Sequence, residues 1–310
     1  MLPSRRLRLS VGALALLAPR LSMAQQHIAL PPVNLGASSF MDGPGGPGLM
    51  TREVVTAFDA PRFAGADGQT IPGRNTLATL TEITHVAYAP PTKVLGEYWG
   101  VEILVPVAMV DVATPAGEAR VVGVGDLTFS PLVFQAPDLK LLGRPFFHRL
   151  DVDLNAPTGQ YQRDAVVNVG SHVWSLNPYY AFTWLPLDRV ETSWRVHYLW
   201  SSANDAAGAS YGATTIQPGQ AIHVNGAVSV EVAGSVRAGV AGYILQQITD
   251  SLADGRPVAG SRERVAALGP GLDVFASGGR TQLTANAYWE LAVENRPAGA
   301  RLNLVALHVW

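Results

Sequence analysis

The stretch ETSWRVHYLW, Glu191 to Trp200, divides into two faces when read with a period of two. Glu191, Ser193, Arg195, His197 and Leu199 fall on one side, and Thr192, Trp194, Val196, Tyr198 and Trp200 on the other. Successive side chains of a strand point to opposite faces, so the stretch is one strand with a polar and an apolar side. In a water-soluble protein the Trp/Val/Tyr/Trp face would be core. In a membrane barrel it would face lipid, and the charges would line a lumen. The remainder of the chain decides between the two.

The chain has 310 residues, of which 48% are apolar and only 15% charged. Ordinary soluble domains carry roughly 25% charged residues. Lysine occurs only at Lys93 and Lys140, while 31 glycines and 22 prolines supply many turns. With no cysteine, disulfides, thiol catalysis and cysteine metal sites are excluded. Arg5, Arg6 and Arg8 precede the apolar run Val11 to Ala18, and Ser22-Met23-Ala24 offers small residues at −3 and −1. This is the layout of a signal peptide over residues 1–24. Its removal takes away four arginines and no acid, moving the net charge from −2 to −6, which argues against a nucleic-acid partner. The most apolar later window, Val94 to Val112, contains Glu97, Glu102 and Pro106, so a helical inner-membrane protein is excluded.

Alternation recurs from about residue 95 to the end, with no comparably clean helical period. It predicts twelve strands near 49–58, 76–89, 94–107, 125–135, 145–156, 168–185, 190–200, 220–232, 236–248, 263–275, 281–293 and 302–310. The connections after the first, third, fifth, seventh and ninth strands are long, and those after even-numbered strands short, except that APDLKLLGR after the fourth is of middling length. Long outer loops and short periplasmic turns characterise outer-membrane barrels. The expected fold is therefore all-β: an antiparallel transmembrane barrel over 49–310, with both termini periplasmic, spanning outer-membrane lipid. Trp174 and Trp184 lie ten residues apart on one face, which at ~3.3 Å per residue and ~45° of tilt spans roughly the height between two aromatic girdles. Trp194, Tyr198, Trp200, Trp289 and Trp310 complete the expected girdle set. Pro106, Pro178 and Pro270 each remove a ladder donor and are expected at bulges. The Pro/Gly-rich segment 25–48 reads either as a disordered tail or as a plug entering a narrow bore.

The lumenal candidates follow from the alternation: Glu102, Arg149, Asp151, Asp153, Arg195, His197, His223, Glu231, Arg237, Tyr243, Tyr288 and Glu290. Asp151 and Asp153 share a face with Arg149, and pairing with basic residues of neighbouring strands is the expected arrangement. The G-x-G of GVGDLTF (123–129) precedes a strand, so it is no phosphate loop. Ser193 and His197 are four apart along one strand, ~13 Å, too far for a nucleophile–base pair. No catalytic residue, metal site or cofactor is expected. A structural or adhesive barrel and an outer-membrane lipase or esterase are the alternatives to a channel.

Several long segments carry a family resemblance: LPPVNLGASSFMDGPGGPG (30–48), GVGDLTFSPLVF (123–134), PFFHRLDVDLNAPTGQY (145–161), VNVGSHVWSLNPYYAFTWLP (167–186), QPGQAIHVN (217–225) and AVENRPAGARL (292–302). Together they resemble the SphA-like family associated with the meta-cleavage pathway of phenol degradation, from about residue 27 to the C-terminus. The resemblance implies an outer-membrane β-barrel and a transporter role, the passive uptake of small aromatic or hydrophobic solutes. It brings no catalytic or binding residues with it. Outer-membrane proteins usually end in Phe, and this chain ends in Trp310. The final strand, with Leu302, Leu304, Ala306, His308 and Trp310, is the expected signal for the outer-membrane assembly machinery. The charged lumen points to phenolic or carboxylated solutes, with Arg195 and Arg237 as their partners and Tyr243 and Tyr288 as stacking surfaces.

Overall fold

The computed structural model describes residues 27–310 apart from Ala116. The signal-peptide segment 1–24 lies outside these residues. Twelve long strands form one closed sheet: β1 Gly48–Ala64, β2 Thr76–Ala89, β3 Glu97–Thr114, β4 Leu127–Leu141, β5 Arg144–Ala156, β6 Ser175–Trp184, β7 Val190–Ser201, β8 Ala221–Ala233, β9 Val236–Gln247, β10 Arg264–Ala276, β11 Thr281–Glu294 and β12 Arg296–Val309. Each pairs antiparallel with the next, and β12 pairs with β1 from Met50↔Val309 to Ala64↔Arg296, so no edge remains. A closed barrel satisfies its backbone groups internally, as a structure in hydrocarbon must. Among the described residues no helix is long and apolar enough to cross a membrane, and this chain crosses with strands.

Trp194, Val196, Tyr198 and Trp200 are 36–43% exposed on the outer wall, whereas Glu191, Ser193, Arg195, His197 and Leu199 are buried inside. The apolar face of β7 is the lipid face. The same sorting recurs on β8, where Ile222, Val228 and Val230 are exposed and His223, Asn225 and Ser229 buried. Trp174, Trp200 and Trp289 stand on the half nearer the long loops, Trp184 and Trp310 at the short-turn end, and Trp194 and Tyr198 between them. Trp310 also ties the seam: its indole N–H donates to Thr51 Oγ1 (3.2 Å) and its backbone N–H to Leu49 O (2.9 Å). We expect deletion of Trp310 to cut the yield of inserted barrel, measured as heat-modifiable protein in outer-membrane fractions. An unchanged yield would remove the role assigned to this terminus.

Long connections gather at one end (65–75, 157–174, 202–220, 248–263) and short ones at the other (142–143, 185–189, 234–235, 277–280). Three details differ from the sequence reading. The segment after β3 is no loop: Val107–Thr114 continues the strand and Gly117–Val124 folds back onto it as a hairpin. β11 and β12 are joined by Asn295 alone, at φ 55°, where a longer link was expected. The prolines do not mark bulges. Register runs unshifted past Pro106 of β3 against β2, Pro178 of β6 against β5 and Pro270 of β10 against β9, and the shifts fall elsewhere, such as Asp59/Arg62 and Ala266/Ala267. Instead, ladder pairs are missing on one side of Pro178 and of Pro270. A residue without an N–H leaves a gap in the ladder without adding a residue to the strand.

Candidate functional site: the lumen and the segment that occupies it

Residues 27–47 run through the barrel. At the short-turn end the segment joins β1, and Gln135 Nε2 donates to Gly46 O (3.2 Å). At mid-height Arg195 grips Asp42 with two bonds, Nε to Oδ2 (2.8 Å) and Nη2 to Oδ1 (2.7 Å). Arg149 Nη2 reaches Asp42 O (3.2 Å) and lies 3.6 Å from Oδ1. Arg52 donates to Ala37 O, Gln282 to Phe40 O and Asn286 to Ser39 Oγ. Higher up, Gly36 N–H donates to Asn225 Oδ1 (2.7 Å) and Tyr288 O–H to Gly36 O (2.8 Å). Residue 27 ends among the long loops, where Glu263 accepts from Leu30 N–H (2.7 Å), contacts His27 (3.2 Å) and pairs with Arg296 (3.2 Å). Burial alone would raise the pKa of Glu263, but the His27 bond, Arg296 and the Leu30 amide outweigh it and hold the carboxyl below its ordinary range. The first described residue is therefore at the long-loop end, not the periplasmic one.

The sequence of the segment fits this path. A chain without helix or sheet must find partners for every amide, and polar wall residues supply them. Gly43 presses on the wall where β5 and β6 meet: a Cβ there would stand 2.4 Å from Thr183 N and 2.8 Å from Phe147 O. Leu35 and Phe40 are buried with Tyr243, Tyr288 and Val293 in the main apolar cluster. Ile28 packs on Ala207 and Ile216 of the long loops.

The structure gathers the lumenal candidates into five groups. Arg149 and Arg195 hold Asp42, with Arg195 4.2 Å above the Tyr179 ring. Tyr243 and Tyr288 meet edge to face at 5.3 Å and support the segment, and Glu290 accepts from Tyr243 O–H (3.1 Å). His197 and His223 stack at 4.0 Å, and His223 Nε2 meets Asn177 Oδ1. Arg237 lies at the short-turn end, bonded to Ser229 and Arg189 O and 3.9 Å from Glu231. Asp151 and Asp153 do not pair with arginines as expected. Tyr179 O–H donates to Asp151 (2.7 Å), Ser130 donates to Asp153, and Glu102 joins them with His85 at 3.0 Å. The sequence reading missed Asp42 because the segment has no periodicity to give a register. It missed Tyr179 because the next residue, Tyr180, continued the aromatic outer face.

Beside His85 and Glu102, toward the long-loop end of β2 and β3, the lumen is different. Thr79, Thr81 and Ile83 of β2, and Leu104, Pro106 and Ala108 of β3, point inward in register yet remain half-buried. Asp151 and His223 are, by contrast, fully covered. The segment bonds to the polar wall and leaves this patch of two threonines and four apolar side chains half-exposed.

A closed antiparallel barrel of twelve strands, apolar outside and filled inside by its own N-terminal segment, is an outer-membrane barrel. The chain belongs to the family described as "Putative MetA-pathway of phenol degradation", whose model matches residues 60–305. An outer membrane channel from Pseudomonas putida F1 is similar at 19% identity and TM-score 0.76, over 90% of this chain and 100% of that one. The β domain of the Bordetella autotransporter BrkA follows at 13% identity and TM-score 0.46 (86% and 100% covered), and a Pseudomonas aeruginosa FadL homologue at 10% and 0.38 (92% and 100%). The first likeness supports the fold, and the other two carry no argument. No curated protein matches the chain.

Proposed function

We propose that the barrel is a passive channel for small aromatic or other hydrophobic compounds. One observation carries this reading: the arginines of the polar wall are held by the protein's own segment, while the inner face around Thr81, Ile83, Leu104 and Ala108, three of these four apolar, stays half-exposed. A solute moving along that face exchanges water for hydrocarbon, worth about 25 cal/mol per Å² of apolar surface covered. Thr79 and Thr81 offer hydroxyls to a phenolic oxygen without demanding a charge. Net flux follows the concentration gradient, and no bond is made or broken. In this reading the chain is not an enzyme. Ser193 Oγ donates to Glu191 (2.6 Å) and lies 2.6 Å from Thr183 Oγ1, a buried structural network with no histidine among its partners.

Membership of a family named for phenol degradation supports the substrate class. The charged residues first suited to phenolic acids, Arg195 and Arg237, are both engaged within the protein, which favours neutral solutes. Thr81 and Ala108 face each other across β2 and β3 at one level. Replacing both with Trp should narrow the free half of the lumen and lower uptake of radiolabelled phenol and toluene about tenfold in cells with equal amounts of folded barrel. Unaltered uptake would rule this path out.

A further inference from the structure

The buried charges of the lumen are sorted by sign. Arg52, Arg149 and Arg195 all serve the N-terminal segment, and Asp42 takes up two of them. Immediately beside them Glu102, Asp151 and Asp153 each place a carboxylate oxygen within 4.8 Å of the others. Among the described residues no arginine comes within ion-pair distance of these three, and His85 is their only basic contact. The mismatch leaves specific atoms unsatisfied: Asp151 Oδ1 and Arg149 Nε are both buried without a partner. The set brings four carboxylates, three arginines and one imidazole together. What it lacks is pairing.

The two sets are within reach of each other. Arg149 and Asp151 alternate on the inner face of β5, about 7 Å apart along the strand and less than the length of an arginine side chain. The guanidinium groups of Arg149 and Arg195 lie 5.7 and 4.2 Å from the Tyr179 ring, whose hydroxyl is bonded to Asp151. If Asp42 departed and nothing replaced it, two buried cations would lose their partner, a strongly unfavourable state.

We propose that Glu102, Asp151 and Asp153 are the second receptor for Arg149 and Arg195, so that the segment 27–47 has two stable states. In the seated state the arginines hold Asp42 and the three carboxylates crowd one another. In the displaced state the arginines turn onto the carboxylates, which relieves that crowding and keeps the wall neutral while the bore widens. Packed interiors switch between discrete arrangements of this sort and do not deform continuously. The triad is thus a counterweight that makes the segment removable, and this holds whichever solute crosses.

Because the chain has no cysteine, Ser38→Cys places a single thiol on the segment, at a side chain only 2% exposed when seated. Its rate of modification by a water-soluble methanethiosulfonate, on purified folded barrel, reads how often the segment leaves. Adding Asp42→Asn should speed labelling at least tenfold. Adding Asp151→Asn with Asp153→Asn should slow it at least tenfold, because the arginines then have nowhere to go. Equal or faster labelling in that variant overturns the proposal, as does the absence of labelling in every background. Should the double variant fail to give heat-modifiable barrel, Asp153→Asn alone, at a half-buried position, carries the same prediction with a smaller effect. Labelling reports the segment and not transport, so a negative result leaves the channel reading standing.

Discussion

Deletion of residues 27–47 is expected to raise single-channel conductance several-fold in planar bilayers. The segment meets the wall on β1, β4 to β8, β10 and β11 and fills the space between them. Removing it exposes Arg149, Arg195, Glu102, Asp151 and Asp153 to water, so the gain should be mainly in ions and small polar solutes. The same deletion takes Leu35 and Phe40 out of the main apolar cluster and leaves Tyr288 and Asn225 without their partners. A lower unfolding temperature should accompany the higher conductance. A barrel that conducts no better without the segment would mean that the obstruction lies elsewhere.

The second large effect concerns closure. Gly299 sits where β12 meets β1, and a Cβ there would stand 1.8 Å from Asp59 O and 2.7 Å from Ala60 Cα. Both are backbone atoms of the partner strand, so no side-chain rotation relieves the clash. Register already shifts here, between Asp59 and Arg62. Gly299→Val should therefore prevent the upper part of the seam from pairing and reduce the heat-modifiable form by more than tenfold. Gly46 is the control: a Cβ there meets nothing within 4 Å, and Gly46→Ala should be silent. Normal recovery of the Gly299 variant would show that the seam tolerates far more than its geometry suggests.

The barrel was legible in the sequence because one physical rule, alternate faces on a strand, recurs from about residue 95 to the end. Errors in single strands did not change the answer. β7 alone contains the whole argument: Trp194 and Trp200 could only be outside once Arg195 and His197 were inside. Connections were legible where they were long. They failed where a strand continued past the membrane, as Val107–Thr114 does, or where one residue, Asn295, turns the chain. The site was less legible. Alternation put Arg149, Asp151, Arg195 and His223 on one face of their strands, but it says nothing about what lies against that face. Their partner is Asp42, in a stretch whose prolines and glycines carry no period. Nor could register across strands be read, and it is register that brings Glu102 of β3 to Asp151 and Asp153 of β5, and sets Ile83 of β2 beside Pro106 of β3.

The course of the N-terminal segment also constrains the order in which the molecule is built. It passes along the full bore, yet it is continuous with β1, one of the two strands that close the ring. A ring completed first would have to be threaded from below by some twenty residues, each amide shedding water inside a narrow channel. A ring that closes around the segment avoids this, because Arg195, Asn225 and Tyr288 find their partners as the wall forms. Closing the ring around the segment would make seam closure and lumen filling a single cooperative step.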